Sequence, residues 1–345
     1  MFVAWRDLRF AKGRFTLMGA VIVLITLLVG LLSGLTAGLA EENTSAITRL
    51  PADHLAFAAP PAGQSVSFTN SSLHTRAWRT WAERPGVTSA EPIGIRTLNA
   101  TAGDRTAAVS SFAVEPDSGI APRGVGPGRV VLSEKAATDL RVEAGDRVRL
   151  GGAERTVAAV EGDASYSHTP VVWTPLSGDA TVIALRTDGA GLAAADKAAG
   201  TQTLTKHDAL IAIGSYRAEN GSLQLMRGFL FVISALVIGA FFTVWTIQRS
   251  ADIAVLKALG ASTPYLLRDA LGQAVLMLTA GTLLGTGLAT AIGGLVRGGD
   301  VPFVLDASTV LGPAAVMVAL GALGAGLSIR RITAVDPLTA LGSAR

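Results

Sequence analysis

The chain has 345 residues, half of them apolar, 16% charged and 6% aromatic, with a mean hydropathy of +0.46. A soluble chain of this length carries about a quarter charged residues, so this composition excludes a soluble enzyme. Cysteine is absent, which removes disulfides, thiolate metal sites and a cysteine nucleophile. The net charge of +3, with no basic stretch interleaved with aromatics, excludes a nucleic-acid binder.

In chain order, residues 1–14 place Phe2, Trp5, Leu8 and Arg9 at helical spacing beside further basic residues. They read as an amphipathic helix lying in the inner membrane interface. Phe15–Ala40 follows, 26 residues without a charge. That is far longer than the roughly 7–15 apolar residues of a cleaved leader, so it reads as a first membrane span. Residues 41–225 have ordinary composition and form a domain of their own. Short β-type runs recur there at His54–Phe57, Gly94–Leu98, Ala107–Val114, Arg129–Leu132, Arg147–Leu150, Thr156–Val160, Val171–Trp173 and Thr181–Leu185. Two helical patterns stand among them. Ser71–Glu83 carries Leu73, Ala77, Trp78 and Trp81 on one face, and Ser133–Leu140 opens on a capping serine. The stretch LRVEAGDRVRL reads as a helix end, a turn at Gly145–Asp146 and a strand. The domain is therefore expected to be α+β.

Three more spans follow, at 228–248, 271–296 and 310–329, separated by a loop at 249–270 and a short loop at 297–309. Small residues recur four apart, as in Gly281 with Gly285 and Gly321 with Ala325, a pattern that lets helices approach closely in lipid. Basic residues set the orientation. Arg6, Arg9, Lys12 and Arg14 precede the first span. Arg249, Lys257 and Arg268 lie between the second and third, and Arg330 and Arg331 open the tail at 330–345. The 297–309 loop balances Arg297 with Asp300 and Asp306. Both termini and the 249–270 loop are thus expected in the cytoplasm, with the large domain outside the plasma membrane.

No phosphate-binding loop, zinc-protease motif or nucleophile elbow occurs, and the histidines (His54, His74, His168, His207) are scattered. No catalytic residue, metal site or intrinsic cofactor is expected. The spans carry no ionisable residue, which argues against a transporter running alone on an ion relay. The loop QRSADIAVLKALGASTPYLLRDA reads as a short helix ended by Gly260 before Pro264, suited to docking in a partner's groove.

The run TIQRSADIAVLKALGAS after a span, and RRITAVDPLTALG after the last one, resemble the signatures of MacB/FtsX-type ABC transporter permeases. VVLSEKAATDLRVEAGDRVRL resembles their small external subdomain, and the order of one helix, a large external domain and three helices matches throughout. The resemblance implies a type VII permease, a four-helix membrane bundle with an inserted extracellular α+β domain. It implies a homodimer working in the lipid bilayer with two copies of a separate ATPase subunit that holds ATP and magnesium. Arg249, Asp252, Leu256, Lys257, Leu259 and Gly260 would lie in the loop that docks onto that ATPase. Within the family, Gly214-Ser215-Tyr216-Arg217-Ala218-Glu219 resembles the motif before the second helix of haem-exporting and DevC-like permeases, with Ser215 in place of their usual glycine. Haem is thus the expected transported substrate, extruded by ATP-driven mechanical coupling. Glu41, Glu42, Arg49, Tyr216, Arg217, Glu219, Met226 and Arg227 are the candidate contacts. Tyr, Glu or Met would ligate iron and Arg would pair with propionates. The alternatives are an FtsX-like protein that activates a cell-wall hydrolase, and a lipoprotein or peptide exporter.

Overall fold

The computed structural model describes residues 12–188, 191–248, 259–296 and 301–333, together with Val255 and Lys257. The chain divides into two compact units. One comprises residues 39–221; the other comprises 1–38 and 222–345.

Among the described residues, four helices are long and apolar enough to cross a membrane: Thr16–Thr48, Gly214–Gln248, Pro264–Val296 and Ala307–Leu327. They belong to α1 (Lys12–Thr48), α5 (Gly214–Gln248), α6 (Thr263–Val296) and α7 (Ala307–Thr333). The first two run past the apolar stretches on which hydropathy alone would end them. α1 continues through Glu41 and Glu42 because its last turns bury Ala46 and Ile47 in a core. α6 opens at Thr263, inside the segment assigned from sequence to the 249–270 loop. The N–H groups of Tyr265 and Leu266 bond the Ser262 carbonyl, and Pro264 sits in the first turn, where a missing N–H costs nothing.

In the membrane unit, α1 and α6 meet along a seam of small residues. A Cβ placed on Gly281 would lie 2.7 Å from Ile22 Cγ2, and one on Gly285 would lie 2.6 Å from the Val23 carbonyl oxygen. One on Gly30 would lie 2.8 Å from Ala289 Cβ. Towards the α6–α7 connection the Phe303 ring fills the space beside Gly34 and Gly293, and Val304 N–H donates to the Gly34 carbonyl at 3.1 Å. Gly321 of α7 likewise makes room for Leu278 of α6. Without a hydrophobic force between helices in lipid, such close packing supplies the attraction.

The other unit is built around one long strand. Its elements in chain order are β1 (His54–Ala58), α2 (Thr75–Ala82), β2 (Val87–Ala102), β3 (Arg105–Val114), β4 (Arg129–Leu132), α3 (Glu134–Leu140), β5 (Arg147–Leu150), β6 (Ala153–Val160), β7 (Ser165–Tyr166), β8 (Thr169–Pro175), β9 (Val182–Thr187), α4 (Leu192–Ala199) and β10 (Thr201–Thr205). The N-terminal half of β2 pairs with β9 in an open sheet ordered β10-β1-β9-β2. Its C-terminal half pairs with β3 on one side and β5 on the other, so β2-β3-β8-β4-β6-β5 closes into a six-stranded barrel. α3, capped by Ser133 Oγ accepting from Ala136 N–H, buries Ala136, Ala137 and Leu140 with the barrel's Val109, Val130 and Val148. α2 lays Ala77, Trp78 and Trp81 on the open sheet, and the Trp81 indole donates to Thr201 Oγ1. The domain is α+β, as composition and periodicity imply. β7, α4 and β10 are too short or too polar to read from periodicity.

The seam makes a paired prediction. Gly285→Ala puts a methyl against helix backbone, which cannot yield as a side chain does, and is expected to lower the melting temperature of the full chain in detergent. Overpacking of this kind costs about 1–3 kcal/mol. Gly287, two residues on, has nothing near its added Cβ, so Gly287→Ala is expected to leave stability unchanged or raise it by helix propensity, up to about 1 kcal/mol. Equal effects of the two substitutions would contradict the seam.

Candidate functional site

Both helices that leave the external unit have their ends rooted in its main core. α1 contributes Ala46 and Ile47, the turn after it Leu50, and the segment before α5 contributes Ala209, Leu210, Ala212 and Ile213. Between them runs a chain of edge-to-face rings: Phe57 on Phe68, Phe68 on Tyr166, Tyr166 on Phe112, and Phe112 on Trp173, at 4.9–5.6 Å. Burial pushes the Tyr166 phenol well above its ordinary range, so it stays neutral.

Above this core the β7–β8 hairpin turns through Ser167 and His168, both non-glycine residues with positive φ (49° and 63°). That backbone is uphill for an L residue, and it is held by both helices. Ser167 N–H donates to the Asn43 carbonyl at 3.1 Å and His168 N–H to the Glu42 carbonyl at 3.3 Å. Ser167 Oγ pairs with Ser215 Oγ at 2.8 Å, and Ser215 Oγ donates to Asn43 Oδ1 at 2.6 Å. His168 Nε2 lies 2.8 Å from Glu219 Oε1 and 2.8 Å from Asn43 Nδ2. With its hydrogen on Nε2 the ring donates to the carboxylate, whose other oxygen accepts from Asn43 Nδ2 at 2.9 Å. His168 Nδ1 faces Glu42 Oε2 at 3.6 Å, and Lys135 Nζ holds Glu42 Oε1 at 2.7 Å. Asn43 itself is buried. A polar clamp therefore binds the last turns of α1 to the first two turns of α5 through the hairpin tip.

A second cluster lies further along. Arg49 pairs with Glu41 and with Asp163, donating to Asp163 Oδ2 at 3.2 Å and, more closely, to Oδ1. The Arg49 guanidinium holds the Asp163 carboxyl below the usual carboxylate range.

The structure brings together only part of the set expected from sequence. Glu42 and Glu219 meet, but through His168; Glu41 and Arg49 pair directly, with Asp163 as a second partner of the guanidinium. Tyr216 packs half-buried against the core, and Arg217 is exposed. Met226, 51% exposed, and Arg227, half-buried, belong to the membrane unit. Sequence reasoning missed His168, Asn43, Lys135 and Asp163. Their partners lie 51 to 176 residues away in most cases, and no local pattern marks them. Among the described residues no group of three His, Asp or Glu side chains is arranged to hold a metal.

Of the loop residues assigned to ATPase docking, Arg249, Asp252 and Leu256 lie outside the described residues. Leu259 is strongly exposed, and its N–H donates to the Val255 carbonyl at 3.0 Å. Gly260 follows with φ +92°, the left-handed conformation that ends a helix. The amphipathic helix at 1–14 and the tail at 330–345 also fall largely outside the described residues.

Four apolar helices, a large domain inserted between the first two and a closed-barrel subdomain define a MacB-like ABC transporter permease. The chain belongs to that family. It matches the MacB-like periplasmic core domain over residues 16–202 and the FtsX-like permease C-terminal domain over residues 225–337. Permeases of this family work with an ATPase subunit. The chain is 28% identical to the "Putative hemin transport system permease protein HrtB" of Staphylococcus haemolyticus (strain JCSC1435), with 99% of each chain covered. It is 27% identical, with the same coverage, to the protein of that name from Staphylococcus epidermidis (strain ATCC 12228). The extracellular domain of the noncanonic ABC-type transporter YknZ from Gram-positive bacteria is similar over 44% of this chain and 98% of that one, at 15% identity and a TM-score of 0.34.

The Arg49 cluster predicts an acid-side stability difference. A carboxyl whose folded pKa is depressed contributes stability that is complete above its unfolded pKa, about 3.9. That contribution is lost as pH falls through the folded value. Both partners are substantially exposed, so screening holds the effect below about 1 kcal/mol. Thermal unfolding of the full chain is expected to show Arg49→Ala less stable than wild type above about pH 4, with the two converging at lower pH. A gap that persists under strong acid would contradict this pairing.

Proposed function

We propose that this permease extrudes haem, or a closely similar amphipathic anion, from the membrane to the outside. It acts as a homodimer with a separate ATPase subunit, with both termini in the cytoplasm and the large domain outside. The observation that carries this reading is similarity over essentially the whole chain to permeases named for hemin transport. The basic residues flanking the spans support the orientation. No ATP-binding motif occurs in this sequence, in keeping with ATP hydrolysis on a partner. The exposed Leu259 beside Gly260 supports docking of the 249–260 segment on that partner.

The clamp alters the ranking of the candidate contacts. Glu42 and Glu219 already hold His168, and Glu41 is paired with Arg49, so binding iron through any of them requires breaking an existing bond. Met226 and Arg217 are exposed. Each is a separate candidate, Met226 offering a thioether to the iron and Arg217 a guanidinium to a propionate. Force enters through the ATPase-facing loop, travels along α5 and α1, and reaches the external unit at the two rooted helix ends.

Haem titration of the purified permease–ATPase complex tests the assignment, read by the Soret band and by ATP hydrolysis. Saturable binding with raised hydrolysis is expected, together with at least a tenfold loss of affinity in Met226→Ala/Arg217→Ala, equivalent to about 1.4 kcal/mol. Absence of both binding and stimulation in the wild-type complex would overturn the haem assignment.

A further inference from the structure

Inside the membrane unit a small cavity lies where α1, α6 and α7 meet, lined by Thr26, Thr286, Thr290, Thr309 and Pro313 together with apolar side chains. It leaves about 10 Å³ for the centre of a water-sized molecule, which is room for one water. Thr26 is only 2% exposed, and its hydroxyl has no hydrogen-bond partner among the described residues. On α1 the Thr36 hydroxyl bonds the Leu32 carbonyl four residues back. Thr26 does not; Ser33 and Thr282 share that lack, but of the three only Thr26 lines this cavity.

A second group there also lacks its usual partner. Pro313 stands inside α7 and has no N–H, so the Thr309 carbonyl loses the donor that an α-helix would give it. The Thr309 hydroxyl is already engaged, donating to the Asp306 carbonyl at 2.8 Å and accepting from Asp306 N–H at 2.9 Å. Both residues line a space of one water's size, in surroundings where bare polar groups are strongly disfavoured. The described lining carries no charged side chain, which suits a neutral ligand.

We infer that this cavity is a binding site for a single water molecule. It accepts from the Thr26 hydroxyl and donates to the Thr309 carbonyl, completing α7 at Pro313 and tying that turn to α1. A bond made through water exchanges readily, so the open hydrogen bond of α7 at Pro313 is closed by an exchangeable partner. The inference rests on the membrane unit alone and is independent of what is transported.

Thermal unfolding of the full-length permease in detergent tests it, because the two possible states of the cavity predict opposite signs. If water is bound, Thr26→Val removes its anchor without changing side-chain volume, and the melting temperature falls. Thr26→Ser keeps the hydroxyl and stays near wild type. Pro313→Ala restores an N–H for the Thr309 carbonyl, so most of the loss from Thr26→Val disappears in that background. If Thr26→Val is neutral or raises the melting temperature, the hydroxyl was merely orphaned in a dry cavity and the inference is wrong. An undiminished loss in the Pro313→Ala background overturns it too. Where Pro313→Ala cannot be purified, the sign of Thr26→Val against Thr26→Ser decides.

Discussion

Two long helices end in one hydrophobic core, and the rest of the external unit is arranged around that constraint. α1 brings Ala46 and Ile47 to it, and the approach to α5 brings Leu210 and Ile213. A hairpin with a strained turn grips both helix ends with hydrogen bonds from its backbone and side chains. Apolar burial supplies the attraction but has no direction. The clamp supplies direction, because Asn43, Ser215 and Glu219 fix the register of one helix against the other. A buried polar network of this kind stabilises only when every member is satisfied. Asn43 meets that condition, with both its amide nitrogen and its amide oxygen engaged.

The membrane unit solves a different problem. Apolar side chains gain little by exchanging lipid for one another, so α1 and α6 are held by close approach at Gly281, Gly285 and Gly30. Rigid seams and one open helix turn occur in the same bundle. The seam joins α1 to α6 along several turns, whereas α7 carries a proline, Pro313, in its second turn.

Much of this was legible in the sequence, for physical reasons. Span positions follow from runs of apolar residues; the strand Arg147–Leu150 follows from alternation and Arg129–Leu132 from a short apolar run, each bounded by turn residues. The Gly281/Gly285 pair was legible because four-residue spacing puts both on one helix face. Hydropathy misplaced the ends of α1 and the start of α6, since it registers Glu41, Glu42 and Arg268 as polar and not the packing or capping that carries a helix past them. The candidate site was legible only in part. Juxtamembrane charges are easy to find, but what neutralises them is a matter of tertiary contact. His168 sits in a polar hairpin, SYSHT, with no motif around it, yet it faces both Glu42 and Glu219. The closing of the barrel through two residue pairs, Ala100 with Leu150 and Thr101 with Arg149, was likewise beyond local pattern.

The central claim is that the ends of α1 and α5 form one mechanical unit through the shared core and the clamp. Amide hydrogen exchange of the full-length permease tests it most directly, comparing wild type with Asn43→Ala. Loss of the Asn43 amide leaves Glu219 only His168 and Ser215 only Ser167 as side-chain partners, and breaking such a buried network costs about 1–3 kcal/mol. The account predicts that protection falls together over residues 42–48, the 165–169 hairpin and residues 209–219, by roughly 10- to 100-fold. Loss confined to the segment around residue 43, with the hairpin and the start of α5 unchanged, would contradict it.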